Sequence, residues 1–368
     1  MHISFIFSKA QLHDHQNIVM GALTRIRSAL LILLGAVLTI TFQYMSRSTM
    51  GITNVFMSKE RQIKTTNLTN SNVVTMAIPL IVASKSQKSK VTTSARTTAE
   101  ILRWNSTRWS EWNNFCSGPI QFDSASLRTP AGSLNIFIHD IKVDRWVSGS
   151  IKKHGVWERD IMNLIHHYLA SDTDLNLLDI GSHIGQFSLL AGKMGRMAIA
   201  VDPLQENVLR LCKSIELNNY NSLVKVFYVA LSDSRKKVTF IKDPGNIGGT
   251  RVHPVNASSG TSFNPNIIDT VFLDDLLPLI PFKKAFMKMD VESHENSVLK
   301  GGNNFFATLD IPYVLMEWFQ HVKNPVSAIE IINFMTLHKY KPYLVNTNSN
   351  PLDINDYKRW PTNVLWKK

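Results

Sequence analysis

Leu177-Leu178-Asp179-Ile180-Gly181-Ser182-His183-Ile184-Gly185-Gln186-Phe187-Ser188 is the stretch that decides the fold. An apolar run of strand length ends at the loop Asp179-x-Gly181-x-x-x-Gly185, and a helical pattern begins at Ile184. Glycines belong where a backbone turns tightly and lets a ligand come close. The helix start presents free N–H groups to a polar ligand. Twenty-one residues after Gly181, Asp202 ends the next apolar run. An acid at that place accepts hydrogen bonds from ribose hydroxyls in nucleoside-binding α/β domains. A dinucleotide site wants G-x-G-x-x-G, whose second glycine makes room for pyrophosphate. His183 occupies that position here, so the spacing suits a nucleoside cofactor without phosphates, S-adenosylmethionine.

Outward from this loop, short apolar runs alternate with helical patterns. Strands are predicted at 176–180, 198–201, 224–230, 285–289 and 312–316, with a helix from Ile184 and another at Gln205–Asn219. Alternating βα units predict a parallel sheet covered on both faces, the doubly wound α/β class. Open sheets of this kind place ligands at the carboxyl ends of their strands. Asp290-Val291-Glu292-Ser293-His294-Glu295 follows such an end. Methyl transfer from a sulfonium is an in-line displacement, in which the protein aligns acceptor, methyl and sulfur and excludes water. An alcohol acceptor also gains from a base near its proton. Asp290, Glu292 and His294 are therefore the candidate catalytic residues, with His294 or Asp290 accepting the proton. A second reading stands beside this one: Glu292 and Glu295 suit the start of the following helix, and His294 suits a helix-start position. Glu317 fits an acceptor contact or a helix cap. These acids and His294 could also hold a metal, but no second ligand cluster accompanies them, and no metal site is assigned.

Several motifs in order resemble the FkbM family of methyltransferases, over roughly Gly155 to Trp366. They are Gly155-Val156-Trp157-Glu158, Leu178–Gly185, Val201-Asp202-Pro203, Val229–Asp233, Leu273-Asp274-Asp275-Leu276, Lys288–Glu295 with Val298-Leu299-Lys300-Gly301, and Leu315-Met316-Glu317. Ser293 stands where the family pattern has glycine. If that glycine serves a positive φ, the backbone here is expected to differ. The resemblance implies an O-methyltransferase with a class I, Rossmann-like doubly wound sheet and S-adenosylmethionine as cofactor. It places Asp179, Gly181 and Gly185 at the methionine part, Asp202 at the ribose, and Ala230 to Asp233 along the adenine. The implied acceptor is a hydroxyl on a glycan, lipid or small molecule.

The N-terminal third reads differently. Ser28 to Ser46 is a run of 19 uncharged residues rich in Leu, Ile and Val. As a helix it would reach about 28 Å, enough for a hydrocarbon core. Residues 1–27 are then a short tail, 28–46 a transmembrane signal anchor, 47–110 a stem, 111–154 a lead-in segment and 155–368 the methyltransferase domain. From Thr65 to Glu100, thirteen of 36 residues are Ser or Thr, a composition unable to bury much apolar surface. Trp104, Trp109 and Trp112 are expected to pack on the catalytic domain. This layout predicts a type II protein with a luminal domain, in the Golgi or endoplasmic reticulum. The sequons at Asn67, Asn105 and Asn256 are compatible with glycosylation. The rival is a mitochondrial presequence, since the N-terminus is poor in acids.

A 44% apolar, 18% charged composition points to a globular protein. The net charge of +12 is carried mostly by residues 1–100, with eleven Lys or Arg against three acids. No basic patch marks the predicted domain, so a nucleic-acid partner is not expected. Two cysteines, Cys116 and Cys212, form neither a disulfide framework nor a metal spacing, and Cys212 reads as a small buried hydrophobe. Two other function classes remain open. One is a type II glycosyltransferase with Asp274-Asp275 as its metal pair. The other is a non-catalytic binding module on the same fold.

Overall fold

Alternate residues of each central strand face opposite sides, and in this chain both sides are apolar. In the computed structural model, which describes residues 98–119, 121–255 and 267–368, this builds a sheet buried on both faces. The tail, the anchor and the stem up to residue 97 lie outside the described residues, as do Asn67 and Asn256. Among the described residues no helix is long and apolar enough to cross a membrane.

In chain order the strands are β1 (Glu100–Trp104), β2 (Trp109–Glu111), β3 (Asp123–Thr129), β4 (Gly132–Ile138), β5 (Asn176–Ile180), β6 (Ala198–Asp202), β7 (Val224–Tyr228), β8 (Ala230–Leu231), β9 (Lys237–Asp243), β10 (Asn246–Pro254), β11 (Ile268–Val271), β12 (Lys284–Met289), β13 (Asp310–Glu317), β14 (Lys341–Tyr343) and β15 (Asn363–Lys367). The helices are α1 (Val147–His154), α2 (Arg159–Ser171), α3 (Gln186–Lys193), α4 (Gln205–Leu217), α5 (Glu295–Lys300), α6 (Asn303–Thr308) and α7 (Pro325–Leu337). The main sheet has nine strands in the order β14-β15-β13-β12-β5-β6-β7-β1-β2. From β13 to β1 the neighbours run parallel; β2 at one edge is antiparallel to β1, and at the other end β15 is antiparallel to both β13 and the edge strand β14. A smaller sheet, β10-β9-β11-β8, and the hairpin β3-β4 lie outside it.

Strand alternation sorts the core into two clusters. Leu177, Ala198, Ala200, Val226 and Phe286 pack with residues of α2, α3 and α4 on one face. Leu178, Ile180, Ile199, Val201, Met287 and Met289 pack with residues of α5, α6 and α7 on the other. Strands buried on both sides need no polar face, which is why they read as continuous apolar runs. The chain runs outward from β5 through β6 and β7, then returns to the other side of β5 as β12 and β13. The order therefore reverses between β5 and β12, and the crevice of an open sheet opens there.

Two boundaries differ from expectation. The run expected as one strand over 224–230 ends at Tyr228, and Ala230–Leu231 leaves to pair with β11 in the smaller sheet. The sheet also begins at Glu100, inside the segment read as stem. There Ile101 and Leu102 are buried and β1 pairs with β7. The tryptophans sit on this added edge: Trp109 meets Trp104 at 5.4 Å and Phe227 at 5.0 Å, and Trp112 meets Tyr228 at 5.6 Å.

The cysteine reading is corrected. Cys212 is buried in α4 as expected, but it is bonded to Cys116, 96 residues away, with Cα atoms 6.1 Å apart. The bridge ties the segment after β2 to the helix behind the cofactor loop. A cross-link closing so long a loop stabilises chiefly by restricting the unfolded chain. Replacing both cysteines with serine is expected to lower the unfolding free energy by about 2–5 kcal/mol in a denaturant titration under oxidising conditions.

Candidate functional site

At the reversal point the loop after β5 faces the loop after β12, and they meet over a bare backbone. The Asp290 N–H donates to the Ile180 carbonyl at 2.9 Å. Gly181, at φ 80°, leaves space for the Asp290 carbonyl oxygen, which would lie 1.7 Å from a β-carbon at that position. Gly185, at φ 81°, caps α3, and a β-carbon there would lie 2.2 Å from the Leu211 side chain. Both glycines line the cavity, yet what they admit most closely is protein: one the partner loop, the other helix α4.

The cavity measures about 390 Å³, within the range of small-molecule sites. One side, where the sequence reading puts the cofactor, is made by residues 180–187, 201–204 and 229–231. Its other side is made by Glu158, Lys288, Asp290, Glu292, His294 and Glu317, with residues 246–250 of β10 as a further wall. Trp146 and Phe319, 57% and 47% exposed, also line it.

The expected cofactor residues divide. Gly181, Gly185, Asp202 and Ala230 line the cavity, whereas Asp179 and Asp233 do not. Asp179 is fully buried, and its Oδ2 accepts from the Ser188 N–H at 3.1 Å and the Ser188 hydroxyl at 2.7 Å, so it holds the start of α3. Asp233 turns away and takes hydrogen bonds from Ser232 and Ser234, each at 3.2 Å. Asp202 is a clamp between loops: it accepts from the His183 N–H (2.8 Å), the Leu204 N–H (2.8 Å) and the Asn207 amide (3.1 Å). A carboxylate has about four acceptor directions, so one is left for a ribose hydroxyl. Burial pushes Asp202 up to about 7, against the pull of those three donors.

The expected catalytic residues also divide. One carboxylate oxygen from each of Asp290, Glu292 and Glu317 lies within 4.8 Å of the other two. His294 is set apart, its Nε2 3.0 Å from the Ser232 hydroxyl. Burial and then Lys236 hold its pKa below the ordinary histidine value. Ser293 does adopt the left-handed backbone of the glycine it replaces, at φ 77°, directly after Glu292 at φ 54°.

Two site residues went unassigned in the sequence. Lys288 is buried in β12 and pairs with Asp290 at 3.0 Å. Burial works against its ammonium, yet Asp290, Asp179 and Glu158 together hold its pKa above the ordinary lysine value. Glu158, at φ 49° before α2, is pushed up to about 7 by burial, partly offset by Lys288. A lysine inside an apolar strand was the available signal, since a buried charge requires a partner. Glu292 is pushed up to about 8 by burial and then by Asp290 and Glu295. Glu317 is pushed up to about 9 by burial and then by Asp290, Glu292 and Glu295.

The sequence matches the model of the methyltransferase FkbM domain over residues 179–342. Residues 179–342 are an FkbM methyltransferase domain. No curated protein matches it. Solved structures similar to it include the precorrin-6y C5,15-methyltransferase of Geobacter metallireducens GS-15, at 9% identity and TM-score 0.29, covering 56% of this chain and 88% of that one. Another is the Pyrococcus abyssi tRNA (uracil-54, C5)-methyltransferase in complex with S-adenosyl-L-homocysteine, at 12% identity and TM-score 0.32, covering 66% of this chain and 43% of that one. S-adenosylmethionine is the cofactor of the FkbM domain, and the cavity fits it. The Ser182 hydroxyl and both His183 ring nitrogens are buried on its wall without a hydrogen-bond partner in the protein, His183 Nε2 lying 3.9 Å from Asp144 Oδ2. Buried polar groups of this kind are normally satisfied by ordered water or a ligand. Ala230 and Leu231 give an apolar wall for a base.

The raised carboxyls give stability a defined pH dependence. Glu158, Asp202, Glu292 and Glu317 keep protons when folded that the unfolded chain releases near its ordinary values of 4.5 for Glu and 3.8 for Asp. These four groups bind more protons in the folded state, so their contribution to stability is full below those ordinary values and is lost as pH rises towards about 9; up to the ordinary histidine value of 6.5 it is opposed by His139, His183, His294 and His338, whose pKa values are lowered on folding. Denaturant midpoints measured from about pH 7 to about pH 9 should decline with pH, and the double substitution E292Q/E317Q should flatten the decline.

Proposed function

We propose that this chain is an O-methyltransferase acting on a hydroxyl of a glycan, lipid or small molecule. The carrying observation is the Asp290–Glu292–Glu317 trio on the cavity wall, with Glu292 pushed up to about 8 and Glu317 to about 9. Carboxyls this close do not all ionise together, so they titrate as a unit. A base whose proton affinity lies near or above neutral suits an alcohol better than an ordinary carboxylate does.

S-adenosylmethionine, when bound, supplies a methyl group on a sulfonium sulfur. The chain's own residues do the rest. Lys288 fixes the Asp290 carboxylate at 3.0 Å, and Glu292 or Glu317 in its ionised form takes the acceptor's hydroxyl proton. Trp146 and Phe319 offer flat apolar surfaces for the body of the acceptor. Loops from β5, β6, β10, β12 and β13 wall the cavity and keep water from the reacting atoms.

The same reading includes a type II protein with a luminal domain, anchored by residues 28–46. The Cys116–Cys212 bridge supports it, because disulfides persist in oxidising compartments. So does Asn105, exposed in the turn between β1 and β2. The glycosyltransferase alternative loses its metal pair: Asp274 caps α6 through the Asn304 and Phe305 N–H groups, and Asp275 holds the Phe272 N–H and Arg235.

The test is methyl transfer from labelled S-adenosylmethionine by the full chain to panels of glycans, lipids and small alcohols, with product mass analysis. A product 14 Da heavier, methylated on oxygen, is expected. E292Q and E317Q are expected to lower kcat by about 10²–10⁴-fold while S-adenosylhomocysteine binding stays near wild type. Methylation on carbon or nitrogen would overturn the hydroxyl assignment. Absence of cofactor binding by calorimetry would make the chain a binding module.

A further inference from the structure

Behind the carboxylate trio lies a buried chain of three polar side chains that methyl transfer, as described, leaves unused. Glu295, the first residue of α5, is fully buried. Its Oε1 accepts the Val291 N–H at 2.8 Å, and its Oε2 lies 2.8 Å from His321 Nε2. His321 Nδ1 lies 3.0 Å from the Ser327 hydroxyl. Ser327 is in the first turn of α7, and its N–H donates to the capping side chain of Asn324 at 3.2 Å. His321 and Ser327 are 2% and 7% exposed, so solvent does not compete for these bonds. One histidine tautomer satisfies the whole chain: Nε2–H donates to Glu295, and Nδ1 accepts the Ser327 hydroxyl.

This chain holds the segment that most needs holding. Val291 lies between Asp290 and Glu292, and Glu292 and Ser293 are consecutive non-glycine residues at φ 54° and 77°. Such conformations persist only where the surroundings over-determine them. The Val291 N–H fixes the loop just before the first left-handed residue. The other end of the relay starts four residues after Glu317, beyond the pocket-lining Phe319 and Gln320. Glu295 and His321 therefore join the loop carrying Asp290 and Glu292 to the loop following Glu317.

We propose that Glu295, His321 and Ser327 form a positioning relay that sets the distance between the Asp290/Glu292 loop and Glu317. None of the three lines the cavity, so they act through the trio and touch neither cofactor nor acceptor. The inference rests on the trio being the acceptor end of the site.

The test compares wild type with E295A, E295Q, H321A and S327A by hydrogen–deuterium exchange, S-adenosylhomocysteine calorimetry and, with the acceptor found above, steady-state kinetics. In E295A and H321A, exchange in peptides spanning 288–296 should rise about tenfold or more, while peptides spanning 179–187 stay within about twofold. S-adenosylhomocysteine affinity should also stay within about twofold, and kcat should fall about 10–100-fold at unchanged cofactor KM, as misplaced reacting groups predict. E295Q should restore both readouts, because its amide oxygen still takes the Val291 N–H and its amide nitrogen donates to His321 Nε2 in the other histidine tautomer, whose Nδ1–H then donates to the Ser327 hydroxyl oxygen. S327A, the mildest change, should shift both in the same direction by less, and it keeps the test open if E295A does not fold. Unchanged exchange over 288–296 in E295A or H321A overturns the proposal. So does a loss of S-adenosylhomocysteine binding that matches the loss of kcat, or an E295Q no better than E295A. If no acceptor is methylated, the functional reading fails, while exchange and cofactor affinity still decide the relay.

Discussion

The Asp290 carbonyl oxygen seated over Gly181 is the contact on which the rest of the site depends. A β-carbon at 181 would lie 1.7 Å from that oxygen, so any side chain there forces the strand ends of β5 and β12 apart. The Asp290 N–H to Ile180 bond at 2.9 Å continues the sheet's pairing one step beyond the strands. Together these bring the cofactor loop and the carboxylate loop into register on one sheet edge. Gly185 does the same in the other layer, letting the Leu211 side chain of α4 approach the start of α3.

Electrostatics follow from that register. Lys288 and Asp179 are direct neighbours across β12 and β5, and Lys288 also pairs with Asp290. Two unit charges about 4 Å apart interact by about 4 kcal/mol at an effective dielectric of 20, which rivals the penalty for burying one of them. Attraction wins at Lys288, whose pKa is raised despite burial. Further from this ammonium the balance reverses. Glu292 and Glu317 have carboxylates as their closest charges, and burial and repulsion act in the same direction on both. One lysine thus divides the wall into an ion-paired part and a proton-holding part.

Much of this was legible in the sequence, for identifiable reasons. The central strands are buried on both faces, and that leaves an apolar run in one dimension. The Asp179–Gly185 loop and the Asp290–Glu295 segment are contiguous, so their residue types travel together. The missed features depend on distance in the fold. Cys116 and Cys212 are 96 residues apart, and nothing local marks them as partners. Residue type also does not say where lone pairs go. Asp179 and Asp202 stand where a cofactor-binding acid is expected, yet Asp179 spends one oxygen on Ser188, and Asp202 spends most of its capacity clamping three loop donors. The tryptophans were expected to pack on the domain and do so. That they sit on two extra strands could not be read from two short apolar stretches within a Ser/Thr-rich surrounding.

The two halves of the cavity have different origins in the chain, and this bears on where acceptor choice is encoded. One half comes from residues 180–231, two consecutive βα units and the β7–β8 segment after them, whose loops share one edge. The other half is assembled from Glu158, the β10 wall, the loop after β12 and the loop after β13. Glu158, Trp157 and Trp146 precede residue 179, where the FkbM domain match begins. The chain before residue 179 is therefore a wall of the site as well as a cover for the sheet. Arg128 holds it in place, donating its N–H to Gly155 at 2.6 Å, and the Gln186 side chain accepts the Trp157 N–H at 3.3 Å. Residues that fix the cofactor are thus constrained by the sheet edge itself. Under the function proposed above, the half facing the acceptor comes from segments other than β5 and β6, where loops vary more readily than the sheet.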